Sequence, residues 1–333
     1  MQRFRTFVDP YILAMFAMVG LAGVLPARGQ GAEVAGMAAN VGIVFLFFLY
    51  GARISRAEAW AGMAQWRLQL AVLATTFLLF PVLGLGLVAA TESILPAALA
   101  SGLMLLCVLP STVQSSIAFT SIARGNVPAA LCAASASNIV GVVLTPVLAG
   151  SLLQVAGAEL SFGVFRDIML QLLAPFVAGQ LLRPLIGNWV TRNKLLLTFA
   201  DRGSILLIIY VAFSRGVVSG VWDQVRLDDL AGLLAILAGL LASVLILTWT
   251  FGRKVLGFKE ADAIVLQFCG SQKSLASGLP IATVLFAGPS LGLIVLPLML
   301  YHQMQLVVCA VLTRRYSART EGNAEAAIAS LSA

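Results

Sequence analysis

Long apolar runs separated by short polar segments extend along almost the whole chain. A helix needs about 20 apolar residues to cross the hydrocarbon core of a bilayer. Ten runs approach this length, near residues 9–26, 35–52, 68–91, 95–121, 127–155, 164–184, 203–220, 228–251, 262–286 and 290–313. The pattern predicts an all-α membrane protein with ten transmembrane helices in one domain, 1–313. The segment 314–333 is polar and rich in Ala and Ser, and we expect it to be a disordered tail.

Two of the ten runs are interrupted by polar residues near their middle. The fourth run contains Pro110 and then Ser111, Thr112, Gln114, Ser115 and Ser116; the ninth contains Ser271, Gln272, Lys273 and Ser274. Proline removes an intrahelical hydrogen bond, and irregular backbone at membrane depth persists only where it is buried in protein or lines water. We therefore expect helices 4 and 9 to be broken and these residues to line a binding site. For the fourth run, a simple proline kink with backbone-bonded serines is the alternative.

Lys273 is the one charged side chain near the centre of an apolar run. Placing a lysine there costs roughly 2.5–3.5 kcal/mol, so it requires a partner or a wet cavity. No Asp or Glu lies at the centre of any run, unlike the carboxylates that many proton- and cation-coupled carriers keep at mid-membrane. Two interpretations follow. The ammonium makes the site attractive to an anion, or it only neutralises carbonyl groups at the end of a half-helix.

Polar residues in two further runs are candidates for the same site. Ser135 and Ser137 in the fifth run are small enough to serve helix packing instead. Asn138, in the same run, needs partners for both ends of its amide. His302, the only histidine, lies in the tenth run, where a buried, satisfied imidazole and a proton relay are both open.

The two interrupted runs share a short sequence pattern. QSSIA at 114–118 is similar to QKSLA at 272–276, half of the apolar region further along the chain. Five spans in each half would make the halves enter the membrane in opposite senses. Weakly similar halves of inverted topology are typical of secondary transporters. We therefore predict two inverted five-helix repeats, at about 9–155 and 164–313.

Composition and charge predict that the protein lies in a membrane and how it is oriented there. The chain is 60% hydrophobic and 11% charged, with a mean hydropathy of +0.98, whereas soluble globular chains carry about 25% charged residues. The basic residues concentrate in loops on the side of the N-terminus, which places both termini in the cytoplasm. The net charge of +7 is thus a topology signal and does not indicate a nucleic-acid partner. We expect a multi-pass protein of the cell membrane, the inner membrane in a bacterium, and read the first run as a helix rather than a cleaved signal.

Several motifs resemble the bile acid:sodium symporter family, most closely its cotransporter 7 branch. They are IARGN at 122–126, LTP at 144–146, QKSLA at 272–276 and LPLMLYHQ at 296–303. The resemblance implies a panel formed by spans 1, 2, 6 and 7 and a core formed by spans 3–5 and 8–10. It also implies that the unwound parts of helices 4 and 9 cross, with a substrate crevice between core and panel.

The resemblance further implies where cation ligands would lie. Ser116 matches the serine of the family's Ser-Asn pair, but Ile117 occupies the Asn position. Gln267 stands in the Glu position, Ser271 in the following Gln position and Thr76 in the Gln position of the third span. Without the carboxylate, the main Coulombic attraction for a sodium ion is missing. Any metal site is therefore a degenerate sodium site at Ser116, Gln267 and Ser271, and no other cofactor is expected.

These observations predict a secondary active transporter that moves an organic or inorganic anion by alternating access, with Lys273 in the place of the sodium site. Two alternatives stay open: a sodium-coupled symporter of the bile acid type with a degenerate cation site, and a non-transporting membrane regulator of ion homeostasis. An enzyme is not expected, because no nucleophile–base pair or metal cluster is evident. The expected partners are a small anionic solute and the lipid bilayer, and a homo-oligomer is open.

Overall fold

The computed structural model describes residues 10–53, 65–91, 94–153, 169–286 and 288–331. Within these ranges every regular element is helical, as the apolar pattern predicts. The α-helices are α1 (Pro10–Val24), α2 (Gly29–Arg53), α3 (Trp66–Thr91), α4 (Ala97–Val108), α5 (Gln114–Ile122), α6 (Val127–Leu152), α7 (Ala174–Arg192), α8 (Lys194–Val218), α9 (Leu227–Thr250), α10 (Glu260–Ser271), α11 (Leu275–Leu285) and α12 (Leu291–Leu331). The π-helical segments Met169–Leu173 and Phe251–Val255 are continuous with α7 and α9, and Val221–Gln224 forms a short 3-10 helix.

Seven helices in the described ranges are long and apolar enough to cross a membrane. They are α2, α3, α6, α7, α8, α9 and α12, and α1 and α4 contain shorter apolar stretches. The chain is therefore an integral membrane protein with several spans. Residues 154–155 and 164–168, at the predicted boundary between the two repeats, lie outside the described residues.

Both interruptions occur where the sequence predicts them. The fourth apolar run forms α4 and α5, and residues 109–113 between them are not helical. The ninth run forms α10 and α11, separated by the extended residues 272–274. Pro110 has no N–H to donate to the helix, and the backbone N–H of Ser111 instead donates to the Ser137 hydroxyl at 3.0 Å. The broken backbone is thus satisfied by side chains from neighbouring helices.

Several helix boundaries differ from the predicted spans. α7 ends at Arg192 and not near 184. α2 and α8 begin earlier than the apolar runs at 35 and 203, because polar residues at the edge of a span continue the helix. α12 does not end at 313 but continues to Leu331. The helix therefore includes most of the segment 314–333 that the sequence analysis separates as a tail. Ala, which is a strong helix former, is the most frequent residue in this segment and favours the continued helix.

The helices pack into two groups. α1, α2, α7 and α8 contact one another, with α2 and α7 in close approach: a Cβ on Gly51 would lie 2.0 Å from the Phe176 carbonyl oxygen. α3–α6 pack with α9–α12. α4 lies at the centre of the second group, and its residues 101–108 are all buried. The ends of α4 and α10 therefore lie inside the protein rather than against lipid.

Candidate functional site

The two broken segments contact each other directly. The backbone N–H of Ser274 donates to the Pro110 carbonyl oxygen at 2.9 Å. Asn138 on α6 joins both segments: its Nδ2 donates to the Ser111 carbonyl oxygen at 2.9 Å, and its Oδ1 accepts from the Ser277 hydroxyl at 3.2 Å. Both ends of this amide have partners, as its predicted position in the site requires.

Gln272 connects the ninth run to the hydroxyl-rich start of α5. Its side-chain oxygen Oε1 accepts hydrogen bonds from the hydroxyls of Thr112, Ser115 and Ser116, at 2.7, 2.6 and 3.1 Å. Gln272 and Ser116 are fully buried, and Thr112 is nearly so. The structure therefore brings together four of the predicted site residues through one side-chain oxygen.

Lys273 is fully buried beside the end of α4. Its Nζ donates to three backbone carbonyl oxygens, those of Thr76, Cys107 and Leu109, at 2.9, 3.0 and 2.8 Å. It also lies 4.0 Å from the centroid of the Phe80 ring. An ammonium has three N–H groups, so all of them are used. The C-terminal end of a helix carries about −0.5 charge, which the ammonium offsets.

The position of Lys273 corrects one expectation. We expect this ammonium to face a wet crevice, but its side chain is absent from the walls of the cavity described below. The second interpretation, in which it neutralises carbonyl groups at the end of a half-helix, describes its contacts. The Lys273 side chain therefore contacts the broken segments and not the cavity.

α12 fixes the backbone at Lys273. Gln305 accepts from the Lys273 N–H with Oε1 at 2.8 Å and donates from Nε2 to the Lys273 carbonyl oxygen at 3.0 Å. His302 Nδ1 lies 2.8 Å from the same Gln305 Nε2. The Tyr301 hydroxyl donates to the Ser271 carbonyl oxygen at 2.9 Å. Gln305 was not among the predicted site residues. Its position one helical turn after the only histidine, His302, is the feature of the sequence that could have indicated it.

A cavity of about 580 Å³ lies between the two helix groups. α1, α2, α7 and α8 contribute a wall in which the apolar residues Met15, Phe47, Phe176 and Ile205 lie among polar and charged residues. The opposite wall, called the polar wall below, combines apolar residues with seven predicted site residues, Thr112, Gln114, Ser115, Ser135, Asn138, Ser274 and His302. The predicted residues that do not line it are Thr76, Ser111, Ser116, Ser137, Gln267, Ser271, Gln272 and Lys273. Most of these eight residues form hydrogen bonds within or next to the broken segments, away from the cavity.

Two helix N-termini meet the polar wall. Val113, Gln114 and Ser115 at the start of α5 line the cavity, as do residues 274–277 at the start of α11. Each helix N-terminus has free N–H groups and about +0.5 charge, which together favour an anion. Ser274 caps α11 by accepting from the Ser277 N–H at 3.1 Å. The remaining N–H groups at both ends can serve a bound solute.

Three of the four residues at the predicted cation positions, Thr76, Ser116 and Gln267, form side-chain hydrogen bonds within the protein, whereas the Ser271 hydroxyl is buried and has no hydrogen-bond partner among the described residues. Gln267 is occupied at both ends: Nε2 donates to the Leu245 carbonyl oxygen at 3.0 Å, and Oε1 accepts from the Tyr316 hydroxyl at 2.6 Å. The Thr76 hydroxyl donates to the Val72 carbonyl oxygen at 2.9 Å. In the part of the chain that the structure describes, no three His, Cys, Asp or Glu side chains lie close enough to share a metal ion.

Three charged residues on the cavity wall were missed by the sequence reasoning. Arg53 at the end of α2 forms an ion pair with Asp201 on α8. The next residue, Arg202, has its guanidinium carbon 4.9 Å from the centroid of the Tyr11 ring. The apolar pattern assigns all three to the ends of spans or to loops, so periodicity alone gives no signal for them.

The chain is similar in sequence to known membrane proteins. The sequence profile of the SBF-like CPA transporter family matches residues 9–318. An uncharacterized Pseudomonas aeruginosa protein, PA2026, is 52% identical over 333 residues, which is 99% of this chain and 98% of that protein. YfeH of Escherichia coli K12, whose name marks it as a candidate symporter, is 46% identical over 321 residues, 96% of each chain. The sodium/bile acid cotransporter 7 of Rattus norvegicus is 29% identical over 279 residues, 82% of this chain and 81% of the rat protein.

Proposed function

Since the chain belongs to the SBF-like CPA transporter family, which is of the bile acid:sodium symporter type, we propose that it carries a small anion across the membrane by alternating access. One observation supports the choice of an anion. Two helix N-termini, at α5 and α11, line the same cavity of about 580 Å³ between two helix groups. Free N–H groups and the positive ends of two helix dipoles attract negative charge, and a partly apolar cavity strengthens that attraction.

The packing of the helices into two groups indicates which parts of the protein move against each other during transport. We take α1, α2, α7 and α8 as a panel and α3–α6 with α9–α12 as a core, arranged as two inverted repeats of five spans. Within the core, the broken segments are joined by hydrogen bonds, such as that from Ser274 to Pro110. The core therefore moves as one body against the panel, and the cavity between them opens to one side of the membrane at a time. Arg53 and Arg202 mark the cytoplasmic end of the cavity by the positive-inside rule.

Lys273 replaces the coupling cation in this proposal. A bound sodium ion would be held by oxygen atoms, and the Lys273 ammonium is held by three backbone carbonyl oxygens at 2.8–3.0 Å. Because these oxygens belong to α3 and to the end of α4, the ammonium links the core helices that a cation would otherwise link. Transport then needs no sodium, and the fixed positive charge adds to the field at the broken segments.

Anion binding is expected to stabilise the purified protein in sodium-free buffer. We expect at least one member of a panel (taurocholate, estrone sulfate, sulfate and short organic acids) to raise Tm by about 5 °C when it is present at about 100 times its Kd. The Gln114→Glu variant should weaken this binding about tenfold. It puts a carboxylate at the α5 N-terminus on the cavity wall, where a negative charge favours the helix but repels an anion. Thermal unfolding of detergent-solubilised protein measures both effects.

Ser290→Asp is the matched control, because it places a carboxylate at the start of α12, away from the cavity wall. If no anion raises Tm without sodium, or if Gln114→Glu binds anions as well as the wild type does, the proposal of an anion site at the two N-termini fails.

A further inference from the structure

The panel wall of the cavity carries one positive charge that no described carboxylate neutralises. Arg53 is paired with Asp201, so these two side chains sum to zero charge. Arg202 lines the same cavity, and within the described ranges no Asp or Glu lies within ion-pair distance of it. His302, on the core wall, and the tyrosines Tyr11 and Tyr50, on the panel wall, are the other titratable groups of the lining. The net charge contributed by side chains at the panel wall is therefore positive.

The orientation of Arg202 is fixed by an aromatic neighbour. Its guanidinium lies over the Tyr11 ring, with 4.9 Å between the guanidinium carbon and the ring centroid, and the residue is half-buried. A cation–π contact of this kind favours a single orientation of the planar group while leaving its N–H edges free to bind. A partly desolvated guanidinium held beside a cavity is suited to two parallel hydrogen bonds with a carboxylate, sulfate or phosphate group.

We propose that Arg202 is a second anion subsite, so that the transported solute is an organic dianion with an anionic group at each end of an apolar body. This rests on the proposed function, which supplies the first anionic group at the N-termini of α5 and α11. The panel wall that carries Arg202 also supplies apolar contacts, from Met15, Phe47, Phe176 and Ile205. A solute that is charged at both ends and apolar between would use all three features of this lining: the helix N-termini, the apolar residues and Arg202.

Matched pairs of linear acids distinguish the contribution of the second anionic group to binding from that of the apolar body. Adipate, suberate and sebacate are compared with hexanoate, octanoate and decanoate, each pair having the same number of carbon atoms. Binding is measured by thermal shift in sodium-free nanodiscs of phosphatidylcholine, which carry no anionic lipid. For at least one chain length, the dicarboxylate is expected to bind the wild type about tenfold more tightly than the monocarboxylate. One additional charge-assisted hydrogen bond, to Arg202, accounts for a difference of this size.

Arg202→Gln removes the charge while keeping a polar side chain of similar reach. It is expected to lose the preference for the dicarboxylate and to bind the monocarboxylate within twofold of the wild type. Gln114→Glu is expected to weaken both ligands equally, so failure of the first anion site is distinguishable from failure of the second. Arg226→Gln is the control, because Arg226 is exposed, pairs only with Asp228 among described carboxylates and lies off the cavity wall.

Three results would overturn the dianion subsite: equal binding within all three pairs, an Arg202→Gln variant that keeps the dicarboxylate preference, or no binding of any dicarboxylate. The same positive group could instead hold a lipid phosphate. A repeat in nanodiscs containing phosphatidylglycerol distinguishes the two sources. If Arg202→Gln lowers Tm only when phosphatidylglycerol is present, with no dicarboxylate preference in either nanodisc, Arg202 binds lipid and the proposal is wrong.

Discussion

Lys273→Met is expected to lower the free energy of unfolding by about 3 kcal/mol or more and to reduce transport to background. The substitution keeps the length of the side chain but leaves the carbonyl oxygens of Thr76, Cys107 and Leu109 without their shared donor. Each buried polar group that loses its partner costs about 1–3 kcal/mol. The end of α4 also loses the positive charge that offsets its dipole. Thermal unfolding in detergent and anion uptake by proteoliposomes measure the two effects.

Lys254→Met is the control for this change, because Lys254 is an exposed lysine just beyond α9. A second variant, Lys273→Ala, tests whether the Lys273 ammonium occupies a cation site or only makes a structural contact. Alanine leaves space beside the three carbonyl oxygens, and sodium ions prefer oxygen ligands. We expect sodium to raise the Tm of Lys273→Ala relative to N-methylglucamine and to leave the wild-type Tm unchanged. An alanine variant that responds to neither ion would show that the carbonyl oxygens form no cation site.

Asn138→Leu is expected to reduce uptake about tenfold and to lower the free energy of unfolding by about 1–3 kcal/mol. The leucine has a similar volume, but it can neither donate to the Ser111 carbonyl oxygen nor accept from the Ser277 hydroxyl. Both broken segments then lose the amide that joins them across α6. An apolar side chain would also replace a polar one on the cavity wall. Initial uptake rates at saturating anion, with Tm measured in parallel, check the prediction.

Ser135→Ala provides the comparison for Asn138→Leu. Ser135 lines the same cavity from α6, one turn away, but within the described part of the chain its side chain forms no hydrogen bond that joins the two broken segments. Its loss should therefore change uptake less than twofold. Equal uptake by Asn138→Leu and the wild type would mean that the amide does not hold the broken segments in their working arrangement.

The positions of the two helix breaks could be predicted from sequence because their causes are local. Pro110 cannot donate a backbone hydrogen bond at any orientation, and Lys273 is costly at mid-membrane in any straight helix. The same reasoning predicts that the polar residues of both breaks are buried in protein. Thr112, Ser115, Ser116 and Gln272 do share one set of hydrogen bonds. Local chemistry therefore predicts where the two helices break.

The orientation of side chains at the site could not be predicted in the same way. A periodic pattern assigns faces along a regular helix, but residues 272–274 are extended, so the direction of Lys273 depends on where α3, α4 and α12 lie. Arg202 and Asp201 lie at the edge of an apolar run, where charged residues usually face water. Only the packing of α8 against α1 and α2 brings them to the cavity.

The dependence of transport on sodium tests most directly whether Lys273 replaces the coupling cation. The measurement is the initial rate of uptake into proteoliposomes of the anion that raises Tm most, with an inward sodium gradient or with N-methylglucamine in its place. The rates are expected to agree within twofold for the wild type, because the carbonyl oxygens that would hold a cation are occupied by the ammonium. A strict requirement for sodium that persists in Lys273→Ala would contradict this account.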